Sequence, residues 1–148
     1  GTYKIKLTVN DGVNEVEEAL SIDAIEPYVQ FYTKGLGFFS DFEESSLPYS
    51  SSASAQASIL GASSYTVSEY KLAAVGTDYT IINLTADDSN GHVTPYFDGL
   101  SDGQVIKAGE EVQFELVSPL TRGKTANITY SCEIDGKEIT YSILVTTS

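Results

Sequence analysis

Tryptophan and methionine are absent, cysteine and histidine occur once each, and basic residues are few: 8 Lys and Arg stand against 21 Asp and Glu in 148 residues. Each shortage removes a class of function. A single cysteine, Cys132, rules out an intrachain disulfide, and one cysteine with one histidine cannot close a zinc site without carboxylates. The one histidine, His92, would have to serve any Ser/His/Asp triad, and no Gly-x-Ser-x-Gly elbow accompanies it. The net charge of -13 and pI near 4.2 repel phosphate backbones and anionic lipid, so nucleic acid is not an expected partner. No apolar run reaches the roughly 18 residues of a spanning helix, and membrane insertion is not expected either. Without tryptophan, a sugar-binding platform lacks the ring it most favours.

What remains is rich in Tyr, Ser, Thr, Gly and Val, a composition of strands and turns. The carboxyl-terminal third is the most regular. Val112, Phe114 and Leu116 share one face. Ile128, Tyr130, Cys132 and Ile134 form a second alternating set, and Ile139, Tyr141, Ile143 and Val145 a third. Asp135-Gly136 supplies the hairpin turn between the last two. Three half-apolar strands with short turns predict an all-β, two-sheet sandwich. Gly109–Leu116, the loop through Pro119 and the paired strands that finish at Thr147 resemble the ending of a bacterial immunoglobulin-like module, which implies an immunoglobulin-like antiparallel β-sandwich as the fold class. Cys132 lies on an apolar face, where a thiol is hidden and inert.

Upstream, Tyr28–Tyr32 reads as a short strand. Phe38, Phe39 and Phe42 read as anchors of a loop to the core. Ser45–Ser54 reads as a mobile polar loop. Strands are expected at Ala55–Leu60, at Tyr65–Leu72 with an ambiguous buried face, and at Tyr79–Ala86 after the Gly76-Thr-Asp78 turn.

The first residues alternate as well: Tyr3, Ile5, Leu7 and Val9 point one way, Lys4, Lys6, Thr8 and Asn10 the other, before an Asn10-Asp11-Gly12 turn. This Gly1-x-Tyr3-x-Ile5-x-Leu7-x-Val9-x-Asp11-Gly12 pattern resembles the closing strands of PKD-type repeats, immunoglobulin-like modules of bacterial secreted enzymes and surface proteins. The resemblance divides the chain into 1–26, a closing hairpin of such a repeat or the first strands of the sandwich, and 27–148, the sandwich itself. A free hairpin is marginal alone, so packing or pairing with the rest of the chain or with another copy is expected. The resemblance also implies a non-catalytic structural or adhesive module, secreted or at the cell surface of a bacterium. Its partners would be neighbouring domains of the parent protein, with a polysaccharide or surface protein as further candidates.

The alternative is a carbohydrate-binding module, for which Tyr96, Phe97 and Tyr49 are the candidate ligand-binding residues. Asp87-Asp88-Ser89-Asn90-Gly91 offers oxygen ligands for calcium, but it lacks the alternating spacing and distal glutamate of an EF-hand loop. The same residues are those a tight turn selects, so no metal and no cofactor is assigned. Glu110-Glu111 and Glu17-Glu18 read as solvated strand edges rather than an acid and base pair, and no enzyme is expected. Asn83-Leu-Thr85 and Asn127-Ile-Thr129 fit the glycosylation acceptor pattern.

Overall fold

A computed structural model describes residues 2–10, 12, 15–23, 26–34, 41–46, 50–58 and 60–148, with side chains in the first two strands described only at Lys6, Thr8 and Asn10. The strands are β1 (Thr2–Asn10), β2 (Glu15–Asp23), β3 (Tyr28–Lys34), β4 (Phe42–Ser45), β5 (Ser50–Ala57) and β6 (Ser64–Val75). They continue as β7 (Tyr79–Asp88), β8 (Tyr96–Asp98), β9 (Val105–Ile106), β10 (Glu111–Pro119), β11 (Thr125–Ile134) and β12 (Lys137–Thr147). The fold is all-β. One five-stranded sheet runs β4-β3-β6-β10-β8 and a second runs β5-β12-β11-β7-β9, while β1 and β2 pair with each other and join neither. The hairpin expected at the start is therefore present, and among the described residues its strands pair only with one another.

The two sheets face each other across one core. Phe31, Tyr70, Leu72, Phe114 and Leu116 come from the first, and Ile81, Ile128, Tyr130, Ile134, Ile143 and Val145 from the second. Burying side chains of this size contributes about 1.5–3 kcal/mol each. Rings interlock across the layers: Tyr70 meets Tyr141 edge-on at 6.2 Å, and Phe97 meets Tyr130 at 5.6 Å. The Asp135-Gly136 turn is as its sequence demands, with φ of 53° and 68°, the double left-handed geometry that matches strand twist.

Three expectations need correction. Ser50–Ser54 is not loop: it forms most of β5, which lies along β12 from Ser50 opposite Thr140 to Ala57 opposite Thr147. That pair is parallel, so the sandwich is not wholly antiparallel. Serine has little intrinsic preference for strands, and the partner that orders it lies far away in sequence. The expected strand to Leu60 ends at Ala57. Of the aromatic cluster, Phe38 and Phe39 lie outside the described residues.

The ambiguous face of β6 has a physical origin. Opposite β10 the register shifts, with Leu116 facing Ser68 and Val117 facing Thr66, so Val67 is an extra residue. Tyr65 and Val67 are the more buried residues up to and including this bulge, and Tyr70, Leu72 and Ala74 are buried after it. No single alternation can describe such a strand.

Candidate functional site

A second bulge, in β7, decides what the acidic loop does. Opposite β11, Ser131 faces Thr85 but Glu133 faces Ile82, and Asn83 takes up the extra length at φ 54°. Asparagine tolerates this left-handed conformation better than most residues. Its side-chain amide donates to the Glu133 carboxylate, and the neighbouring Leu84 N–H donates to Asp102 Oδ1 at 3.1 Å. The bulge also exchanges the faces of the strand. Tyr79 and Ile81 point inward before it, whereas Leu84, Ala86 and Asp88 are the more buried residues after it, leaving Ile82 47% exposed.

Asp88, and not Asp87, is thus carried inward, to 6% exposure. Its Oδ1 accepts from the backbone N–H groups of Asn90 at 3.0 Å and Asn127 at 2.8 Å. Its Oδ2 accepts from His92 N–H at 2.7 Å and Val93 N–H at 3.1 Å. Burial alone would raise its pKa, but these four bonds to the charged form outweigh it and hold the group below the ordinary carboxylate value. His92 Nδ1 and Asn90 Nδ2 both donate to the Thr125 carbonyl, at 2.7 and 3.0 Å. The Asp87–Gly91 segment is accordingly a staple that fastens the turn after β7 to β11, with both carboxylate oxygens of Asp88 already engaged. Among the described residues, no group of three or more His, Cys, Asp or Glu is arranged to hold a metal ion.

Tyr96 and Phe97 do not form one platform. The two are adjacent in β8 and so face opposite sides: Tyr96 is 46% exposed, while Phe97 packs against the core and its ring lies 6.2 Å from that of Phe114. Gly99 (φ 88°) lets β8 lie this close, because a Cβ there would stand 2.8 Å from the Gln113 carbonyl oxygen. Tyr49 lies outside the described residues.

Sequence reasoning did not single out the outer face of the first sheet, which has its own organisation. The Lys71 ammonium stands 4.4 Å from the Tyr32 ring centroid and 5.2 Å from that of Phe42, and 3.4 Å from the Glu111 carboxylate. Lys34 pairs with Glu69 at 2.9 Å. One row along, Glu115 on β10 lies directly opposite both Glu69 on β6 and Asp98 on β8. Partial burial, a hydrogen bond shared with Glu69, and the negative charges of Glu69 and Asp98 together raise the Glu115 pKa. These residues come from strands far apart in the chain, so only the sheet register brings them together.

Two further polar groups lie in the core. Cys132 is buried, and burial pushes its thiol up to about 11, leaving no thiolate at neutral pH. Tyr130 donates its hydroxyl to the Val117 carbonyl at 2.8 Å, a buried bond that ties β11 to β10 across the two layers. The Tyr-x-Cys spacing of residues 130–132 is the sequence signal that would have marked it.

No protein-family model and no curated protein matches the chain. Among solved structures, it is similar to the secreted serine protease VesC from Vibrio cholerae, at 12% identity and a TM-score of 0.41. That likeness covers 62% of this chain and 21% of the protease.

Proposed function

We propose that this chain is a non-catalytic structural or adhesive module, an immunoglobulin-like sandwich that spaces other domains of a secreted or cell-surface bacterial protein. Strand order supports the class. The neighbours β3-β6-β10-β8 follow the A-B-E-D order of immunoglobulin domains, and β7-β11-β12 follow C-F-G. Tyr130, two residues before Cys132, bonds back to an upstream carbonyl as a tyrosine corner does, though to β10 and not to the nearer loop.

The observation that carries the spacer reading is the direction of β3 and β12, the first and last strands of the two sheets in chain order. Tyr28 starts β3 beside Val75, where β6 ends. Thr147 finishes β12 beside Ala57, just before β6 begins. These points are at opposite ends of the sandwich, roughly 35–40 Å apart by strand rise. Tension between them runs along the strands, so β3 is sheared against β6 and β5 against β12. Sheared strands load all their hydrogen bonds at once, whereas an unzipped hairpin loads them one after another. Resistance to force is a matter of unfolding rate, and this geometry slows the rate without any ligand.

The test is single-molecule pulling in two directions. Handles at Tyr28 and Thr147 are expected to need severalfold more force than handles at Thr125 and Thr147, which peel β11 and β12 apart. Equal forces in the two directions would remove the basis of the spacer reading.

One observation favours the carbohydrate reading as a second choice: the outward ring pair Tyr32 and Phe42, which shares its sheet face with Gln30 and Gln113. Saturable binding in a polysaccharide screen, lost with Tyr32→Ala, would establish it. Binding that survives Tyr32→Ala would place any glycan elsewhere.

A further inference from the structure

We infer that the free edge of β5 is a self-association surface, to which β5 of a second copy of this chain adds as an antiparallel strand. The inference goes beyond the spacer reading and does not depend on it. Four strands end the two sheets, and three of them are blunted. β4 is four residues long and carries Glu43 and Glu44, β8 is three residues with Asp98, and β9 is two residues followed by Lys107. Short length and charge are the usual protections of a sheet edge. β5 has neither: it is eight residues long, Ser-Ser-Ser-Ala-Ser-Ala-Gln-Ala, with no charge and no proline, and among the described residues no strand pairs with its outer side.

Charge patterning extends the same surface. In a chain of net charge -13, no charged residue stands between Glu44 and Glu69, and none follows Glu138. The sheet lays these two uncharged segments side by side as β5 and β12. Leu144, 42% exposed, sits within this area, where Ser54, Ala55, Gln56, Leu144 and Thr146 line a shallow hollow.

A second copy fits this edge because a two-fold axis pairs a strand with itself, which requires a self-complementary sequence. Centred on Ser54, the antiparallel register sets Ala53 against Ala55 of the other copy and Ser52 against its Gln56. Uncharged side chains, all small except Gln56, meet one another and no like charges are opposed. At β4 the same operation would set Glu43 against Glu44 of the other copy, at a cost, and β8 offers only three residues to pair. The result is one continuous sheet through both copies. Because each copy is strongly negative, its formation strengthens as salt screens the remaining repulsion.

Sedimentation velocity over a wide concentration range, at low and high salt, tests this. The expected result is a monomer–dimer equilibrium that shifts toward dimer with concentration and with salt. Ser54→Lys is expected to abolish the dimer. Lysine makes the chain less negative, so any general charge effect would act in the opposite direction, and loss of dimer reports the local pairing. Glu43→Lys on the β4 edge is expected to leave the dimer intact. In a Cys132→Ser background, Ser54→Cys is expected to form an intermolecular disulfide on mild oxidation, and unchanged thermal unfolding of each variant shows that the fold survives. A monomer at every concentration, or a dimer that persists in Ser54→Lys, overturns the inference.

Discussion

Asp88 on β7 and Glu115 on β10 carry the same chemical group, and the sandwich treats them in opposite ways. Asp88 is the more deeply buried, yet four backbone N–H groups stabilise its charge and its pKa falls. Glu115 is only half-buried, yet it lies between two other carboxylates in one row and its pKa rises. Burial alone therefore does not decide whether an acid helps or hurts; the partners supplied by the backbone do. The difference fixes the sign of the pH dependence. Asp88 contributes stability that is present above the unfolded-state pKa and is lost as pH falls through its lowered folded value. Glu115 contributes stability present below its unfolded-state pKa, and that contribution is lost as pH rises through its raised folded value.

The largest expected effect comes from removing the satisfied carboxylate. Asp88→Ala leaves four backbone donors without their acceptor and is expected to cost about 3 kcal/mol in urea unfolding at neutral pH. Its stability should also fall less steeply than that of the parent as pH drops below about 4. Next, Tyr130→Phe keeps the ring but strands the Val117 carbonyl, for an expected loss of about 1–2 kcal/mol by the same measurement. The smallest effect has the opposite sign. Glu115→Gln removes like-charge repulsion and is expected to stabilise by roughly 0.5–1 kcal/mol at neutral pH. That gain should vanish in acid, where the parent residue is protonated. A destabilising Glu115→Gln, or a neutral Asp88→Ala, would break the comparison.

How much was legible in the sequence followed the locality of the cause. The β11–β12 hairpin could be read because Asp135-Gly136 fixes the turn and the alternation on both sides is unbroken. The opposed faces of Tyr96 and Phe97 were not legible: the two stand in a loop-rich stretch, and the three-residue β8 that separates them is set by its pairing with β10. Which of Asp87 and Asp88 turns inward was not, because the answer lies in a one-residue bulge at Asn83 that reverses the faces of β7. β5 was hidden for a different reason: its serines gain their order from β12, about ninety residues away. The Glu69–Glu115–Asp98 row exists only in the sheet register.

The spacer reading rests most heavily on the parallel pairing of β5 with β12. In such a strand, neighbouring residues aim their N–H groups to opposite sides, so of Ser52 and Ala53 one bonds to β12 and the other faces the open edge. The most direct measurement is the end-to-end unfolding force, pulled at Tyr28 and Thr147, of Ser52→Pro and Ala53→Pro beside the parent. The expected result is that one substitution lowers the force markedly and its neighbour does not. If both leave the force unchanged, β5–β12 does not hold the sandwich against tension, and the account is contradicted.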